Sequence, residues 1–114
     1  DMYNVIVMEI ARDDLRSAVR YIANELKNPS AANRLADEFE KHVLELTEMP
    51  ERYQLLQDRF LALNQIRAFS VGNYLAFYTV HPETQTVAIL RFLYGKRNWM
   101  RIIEALSKEE LGEH

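Results

Sequence analysis

The chain has 114 residues, of which 48% are hydrophobic and 27% are charged, a composition typical of a globular protein rather than a disordered one. The absence of cysteine excludes disulfides and thiolate metal sites and fits a reducing compartment. No apolar run is long enough to span a bilayer, and the N-terminal residues lack the pattern of a signal peptide. The sequence therefore predicts a cytoplasmic protein with no membrane partner.

The net charge of −3 is unevenly distributed along the chain. Residues 1–60 hold 8 Lys/Arg against 12 Asp/Glu, whereas residues 63–103 hold 5 Lys/Arg against a single Glu. A basic second half joined to an acidic first half indicates an anionic partner for the second half.

The N-terminal half begins with a predicted strand in residues 1–10, where "YNVIVMEI" is short and rich in β-branched residues. Apolar residues then recur at helical spacing, which predicts a helical hairpin over residues 11–49. Asp13 and Asp14 are expected in the first turn of the first helix, where negative charge suits the helix dipole. Asn28 is a predicted N-cap of the second helix, and Pro29 its first residue.

The C-terminal half reads as a loop over residues 50–63 and a three-stranded antiparallel meander over residues 63–95. Gly72-Asn73 is a tight-turn signal between the first two of these strands. A short helix is predicted over residues 98–107.

This order predicts a single α+β domain over residues 1–114, with elements β-α-α-β-β-β(-α). The helical hairpin is expected on one face of a small, mainly antiparallel, four-stranded sheet. The opposite face of the sheet is expected to be open, and a domain of this kind would carry its site there.

The last predicted strand, "VAILRFLY", places an arginine among apolar residues. Side chains alternate along a strand, and the even-numbered positions 88, 90, 92 and 94 are all apolar or aromatic. Assigning them to the helical hairpin sends Arg91 to the open face, because burying an unpaired guanidinium would cost several kcal/mol.

The predicted binding site is a basic hollow near the end of the sheet. Arginines beside aromatic rings suit either phosphate contacts with base stacking or an acidic protein segment. The residues predicted to bind the target or a partner are Arg67, Tyr78, Arg91, Tyr94, Lys96, Arg97 and Trp99. The histidines share no metal-ligand spacing and no phosphate-binding glycine loop is present, so no metal and no cofactor are expected.

Several of these residues also have a purely structural interpretation. Arg91 could form an ion pair on the sheet, and Tyr94 could close the edge of the core with its hydroxyl in water. Trp99 is expected first of all to pack its helix against the domain, and Tyr74 and Tyr78 to pack within the meander.

Four segments in order resemble the RelE/ParE superfamily, the toxins of bacterial type II toxin–antitoxin modules, which include plasmid stabilisation proteins. "DDLRSAVRYIANEL" and "NPSAANRLADEFEKHVLELTEMPERY" are similar to the family's two helices. "IRAFSVGNYLAFYTV" is similar to its Arg-containing strand, turn and Tyr-rich strand, and "VAILRFLYGKRNW" to its closing signature.

The resemblance implies a growth-inhibiting toxin that is neutralised by a cognate antitoxin. The expected assembly is a homodimer or a toxin–antitoxin hetero-oligomer. ParE-like members inhibit DNA gyrase, and "LRFLYGKRNW" is closer to that branch. The alternative is a metal-independent, ribosome-dependent mRNA interferase of the RelE type, whose catalytic residues here would be Arg67, Arg91, Tyr94 and Lys96. A second alternative is an inactive remnant that only binds its antitoxin.

Overall fold

The computed structural model describes residues 2–55 and 58–106. Its strands are β1 (Asn4–Val7), β2 (Arg67–Val71), β3 (Tyr74–His81) and β4 (Thr86–Tyr94), and its helices are α1 (Glu9–Arg20), α2 (Pro29–Glu48), α3 (Arg59–Leu63) and α4 (Trp99–Glu104). The predicted α+β order of a strand, a helical hairpin, three strands and a helix is thus confirmed. Residue 107 of the predicted last helix, residues 56 and 57 of the predicted loop, and His114 lie outside the described residues.

The four strands form one sheet in the order β1-β4-β3-β2. The meander β2-β3-β4 is antiparallel, as predicted, and β1 pairs with β4 in parallel. β1 ends at Val7, opposite Ile89, so the edge of β4 beyond Ile89 is not covered by a strand. α1 follows directly and runs alongside this edge.

The helical hairpin is built by local signals. The Asn28 side chain accepts a hydrogen bond from the backbone N–H of Ala31, and Pro29 opens α2, as the sequence predicts. α1 begins at Glu9, earlier than expected, which places Asp13 and Asp14 in its second turn rather than its first. One π-helical turn, Tyr21–Glu25, extends α1 before the hairpin turns.

Two apolar clusters hold the sheet, one on each face. The first lies between the helical hairpin and the sheet, and includes Phe39 and Leu46 from α2 with Phe69, Tyr78 and Phe92 from the strands. The second lies on the opposite face and consists of Leu61, Ile66, Phe77, Leu90, Leu93 and Ile103, with Trp99 packed against it.

The expectation of an open second face is therefore wrong, because α3 and α4 cover its apolar residues. α3 also corrects the prediction of a structureless loop over residues 50–63. Asp58 caps this five-residue helix by accepting a hydrogen bond from Leu61 N–H at 3.1 Å, and the helix buries Leu61 completely. Five residues are too few to show a period in the sequence.

A β-bulge in β4 overturns the predicted alternation of its side chains. Phe77 pairs with Arg91 and Tyr78 with Ile89, so Leu90 is the extra residue on β4. Before the bulge the odd-numbered Ile89 faces the helical hairpin, and after it the even-numbered Phe92 does.

In the described part of the chain, no helix combines the length and the apolar character that a bilayer crossing requires.

Candidate functional site

The guanidinium of Arg91 forms a two-pronged ion pair with Asp14 of α1. Arg91 Nε donates to Asp14 Oδ2 at 2.7 Å, and Nη2 donates to Oδ1 at 2.9 Å. Both side chains are only 14% exposed. The expectation of an unpaired guanidinium on an open face is wrong, because Asp14 on α1 supplies the counter-charge that makes its burial tolerable.

Asp14 also closes the uncovered edge of β4. Its Oδ2 accepts a third hydrogen bond, at 3.0 Å, from the backbone N–H of Phe92, just beyond the last residue of β4 that pairs with β1. The Asp14 carboxylate thus accepts the hydrogen bond that a longer β1 would have accepted from Phe92, and it also neutralises Arg91. Asp14 is a residue of the site that the sequence interpretation missed.

Arg67 lies on the edge strand β2 and is bound to the segment that follows α2. Its Nη1 donates to the Tyr53 carbonyl at 2.6 Å, and its Nη2 lies 3.3 Å from a carboxylate oxygen of Glu51. The side chain is 18% exposed. The sequence predicts that Arg67 shares an open face with Arg91. Instead, Arg67 fastens the chain between α2 and α3 to the edge of the sheet.

Tyr78, paired with Arg67 across β2 and β3, is completely buried. Its hydroxyl donates to the Pro50 carbonyl at 3.0 Å, and burial raises its pKa to about 12, against a smaller opposing effect of the Arg67 charge. This corrects the expectation that Tyr78 lies on a binding surface, because it offers no surface to a partner.

Trp99 and the described histidines also serve packing. The Trp99 ring lies on the second face of the sheet, 5.1 Å from the Phe77 ring, as the structural interpretation predicts. His42 Nδ1 is 2.7 Å from the Tyr53 hydroxyl and the ring stacks on Phe69, while His81 Nε2 is 2.9 Å from the Thr79 hydroxyl. Among the residues that the structure describes, no three His, Asp or Glu side chains gather as metal ligands.

The turn between β4 and α4 brings together the remaining predicted site residues, Tyr94, Lys96 and Arg97. Gly95 N–H donates to the Asn73 carbonyl at 2.7 Å, which fixes the turn against the β2–β3 turn. A Cβ on Gly95 would lie 3.1 Å from that carbonyl oxygen, so the close approach favours glycine. Lys96 and Arg97 are exposed at the rim.

Three tyrosines surround the space beside this turn. The Tyr74 ring stacks on Phe92 at 5.1 Å and meets the Tyr94 ring edge-on at 5.6 Å. Burial, with the nearby hydroxyls of Tyr21 and Tyr94, raises the pKa of Tyr74. Tyr21 lies on the π-helical turn and is 52% exposed, and Tyr94 is 40% exposed.

These rings line two adjoining cavities, which we call together the tyrosine hollow. One cavity, of about 260 Å³, is also lined by Asp14 and Arg97. The other, of about 440 Å³, is lined by Tyr21, Ile22, Leu26, Asn73, Tyr74 and Tyr94. The sequence interpretation did not include Tyr21 in the site. Its position next to Ile22 but outside the apolar stripe of α1 indicates an exposed aromatic ring, and this was the available signal.

The structure thus splits the predicted site into two groups. Tyr94, Lys96 and Arg97 lie together at one end of the sheet, with the neutralised Arg91 just before them in β4. Arg67 and Tyr78 lie about 13 Å farther along β3 from Tyr74, at roughly 3.3 Å per residue. The hollow offers apolar and aromatic walls with exposed cations at its rim.

Comparison with known proteins agrees with this architecture. The family described as the ParE toxin of the type II toxin–antitoxin system parDE matches residues 5–99. The chain therefore belongs to the ParE toxin family of type II toxin–antitoxin systems. No curated protein matches the sequence.

Three solved structures illustrate the shared fold. The RelBE2 toxin–antitoxin complex of Mycobacterium tuberculosis is 23% identical with a TM-score of 0.57, covering 82% of this chain and 91% of the other. The chromosomal ParDE system of P. aeruginosa is 15% identical with a TM-score of 0.65, covering 82% and 96%. A mutant E. coli RelE in the free state is 16% identical with a TM-score of 0.58, covering 93% and 100%.

Proposed function

We propose that this toxin is neutralised by a cognate antitoxin and stops growth by binding DNA gyrase, with no chemistry of its own. The observation that carries the proposal is the binding of both sheet arginines to groups of their own chain. Arg91 is held by Asp14, and Arg67 by the Tyr53 carbonyl and Glu51. Neither cation is arranged to stabilise a reacting phosphate.

Metal-free RNA cleavage needs a base for the 2′-hydroxyl, an acid for the leaving oxygen and cations for the developing charge. The turn "YGKRNW" contains no histidine and no carboxylate. His81 pairs with Thr86 at the far end of β3, about 23 Å along the strand from Tyr74 at roughly 3.3 Å per residue. Tyr94 and Lys96 alone would have to supply both acid and base, which favours binding over catalysis.

The antitoxin follows from family membership and from the fold shared with the RelBE2 complex. The exposed cations Lys96 and Arg97 favour a partner that presents acidic residues to this end of the sheet. The toxin–antitoxin pair would then form a hetero-oligomer, as the sequence resemblance implies.

The target is tested with purified toxin in two assays run side by side. We expect inhibition of gyrase supercoiling at micromolar toxin, and weaker inhibition by Lys96→Glu/Arg97→Glu. Lys41→Glu, an exposed charge reversal on α2, is the matched control and should inhibit like the wild type.

The second assay maps cleavage of a translated mRNA by primer extension. Cuts that vanish in Arg91→Ala or Tyr94→Phe, with supercoiling unaffected, would replace the gyrase proposal with an mRNA interferase. Normal growth after induction of the toxin without its antitoxin would instead indicate an inactive remnant.

A further inference from the structure

The tyrosine hollow is an apolar recess at the surface of a charged protein. Its larger cavity of about 440 Å³ falls within the range of roughly 300–1,000 Å³ found for ligand pockets. Tyr21 and Leu26 are 52% and 56% exposed although both are large and mainly apolar. Exposed apolar surface of this kind, concentrated around a recess, marks an interaction site.

The walls of the hollow fit an aliphatic or aromatic side chain better than a nucleotide base. Ile22 and Leu26 form one side, and the tyrosines form the other. Tyr74 already stacks on Phe92, and its plane makes an angle of 66° with that of Tyr94, so these two rings do not present parallel faces to sandwich a base. Tyrosines are common at the centres of protein interfaces.

The charges beside the hollow determine which residues are favoured next to a side chain that binds in it. Arg97 lines the smaller cavity, and Lys96 is exposed on the same turn. The one carboxylate in that lining, Asp14, already binds Arg91 and the Phe92 N–H. The rim is therefore positive toward an incoming chain, and carboxylates on that chain would complement it.

We propose that the tyrosine hollow is the anchor site for the antitoxin, which inserts one bulky apolar side chain between Tyr21 and Tyr94. Neighbouring Asp or Glu residues of the same segment pair with Lys96 and Arg97. The inference rests on the antitoxin partnership proposed above and not on the identity of the target. The proposed antitoxin contact is therefore the recess beside Arg91 and not the Arg91 guanidinium itself, which is already paired with Asp14.

The test uses the full-length toxin and the protein encoded by the adjacent gene. Their dissociation constant is measured by calorimetry for the wild type, Tyr21→Ala and Tyr94→Ala. Each substitution should weaken binding at least about tenfold, the size expected for an anchor residue. Leu44→Ala, a truncation of an apolar side chain that is 65% exposed on α2, should change it less than about twofold.

The rim is tested by Lys96→Glu/Arg97→Glu, which should weaken binding and reduce its dependence on salt, while Lys41→Glu should do neither. Thermal melting of each variant shows whether it is folded. If a tyrosine variant is not, hydrogen exchange on the wild-type complex decides, with protection expected over residues 20–27, 72–75 and 93–98.

A second recess gives the result that would overturn the proposal. A cavity of about 410 Å³ lies between α1 and α2 and is lined by residues that include Leu15, Ala36, Phe39 and Val43. Protection confined to those helices, with unchanged affinity in the tyrosine variants, would place the antitoxin there instead. Loss of binding to a single-stranded RNA oligonucleotide in the same variants, with antitoxin affinity unchanged, would assign the hollow to nucleic acid.

No binding between the wild-type toxin and the adjacent gene product would contradict both the antitoxin partnership and the anchor site. Tight wild-type binding that the tyrosine variants leave unchanged would contradict the anchor site alone. The gyrase assay is independent of either result, so a wrong target, a wrong partner and a wrong anchor site give three different sets of results.

Discussion

The ion pair between Asp14 and Arg91 predicts a large difference between two neighbouring aspartates of α1. Asp14 is 14% exposed and accepts three hydrogen bonds, two from Arg91 and one from the Phe92 backbone. Asp13 is 60% exposed and pairs with Arg16, whose side chain is also 60% exposed. The two residues share one helical turn, so replacing either by alanine changes helix propensity equally.

Asp14→Ala leaves a mostly buried guanidinium without its counter-charge and a strand N–H without its acceptor. Breaking such a pair from one side costs about 3 kcal/mol of unfolding free energy. For a chain of this size that lowers Tm by about 12 °C, at roughly 4 °C per kcal/mol. Asp13→Ala removes an exposed pair, and should cost less than about 0.5 kcal/mol, or about 2 °C.

The measurement is urea unfolding followed by circular dichroism, with Tm from calorimetry as a second reading. Asp14→Asn/Arg91→Met, which removes both charges, keeps their approximate volume and leaves an acceptor for the Phe92 N–H, should recover most of the stability lost in Asp14→Ala. Equal destabilisation by Asp13→Ala and Asp14→Ala, or a double variant no more stable than Asp14→Ala, would refute the reasoning.

Three further predictions concern other parts of the fold. Because burial raises the pKa of Tyr78 to about 12 from 10.0, its contribution to stability is complete below pH 10 and is lost as the pH rises toward 12. Between pH 10 and 12 the free energy of unfolding should fall less steeply in Tyr78→Phe than in the wild type. Below pH 10 the variant should be about 1 kcal/mol less stable, because it lacks the hydrogen bond to the Pro50 carbonyl. Arg67→Ala should cost about 1–2 kcal/mol by freeing the Tyr53 carbonyl, and yet leave antitoxin affinity within about twofold by calorimetry. Gly95→Ala should cost about 1 kcal/mol by thermal melting, since its Cβ would press on the Asn73 carbonyl; an unchanged Tm would show that the turn accommodates it.

Local signals were enough to predict most of the fold. The Asn28 cap, Pro29 and the tight turn at Gly72 depend on neighbouring residues only, and Gly72 indeed has a φ of 57°. The strands and long helices followed from their apolar periods. These features define where the helices and strands begin and end, independently of the elements that they pack against.

The misses depend on contacts between distant residues. The bulge at Leu90 reflects how β3 and β4 align, which neither strand shows alone. The short β1 leaves the Phe92 N–H at the edge of β4 to Asp14, and this determines the partner of Arg91. Asp14 did carry a signal, because it lies on the same helical face as the buried Ala11 and Ala18, where an acidic residue calls for an internal cation.

The site was predicted in part. The grouping of Tyr94, Lys96 and Arg97 follows from their proximity in one turn, which the sequence displays directly. Tyr21 joins them only because α1 ends in a π-helical turn beside the end of β4, a placement that no local pattern of residues 20–26 specifies.

The parallel pairing of β1 with β4 has a consequence for how the toxin is made. Asn4 meets Thr86, so during translation about 80 residues must be added after the first strand before its partner exists, roughly 4 to 16 seconds at 5–20 residues per second. A nascent chain that ends before β4 lacks the strand that lies between β1 and β3. It also lacks Arg91, the ion-pair partner of Asp14. Premature termination anywhere upstream of that strand should therefore yield harmless, unfolded fragments for proteolysis.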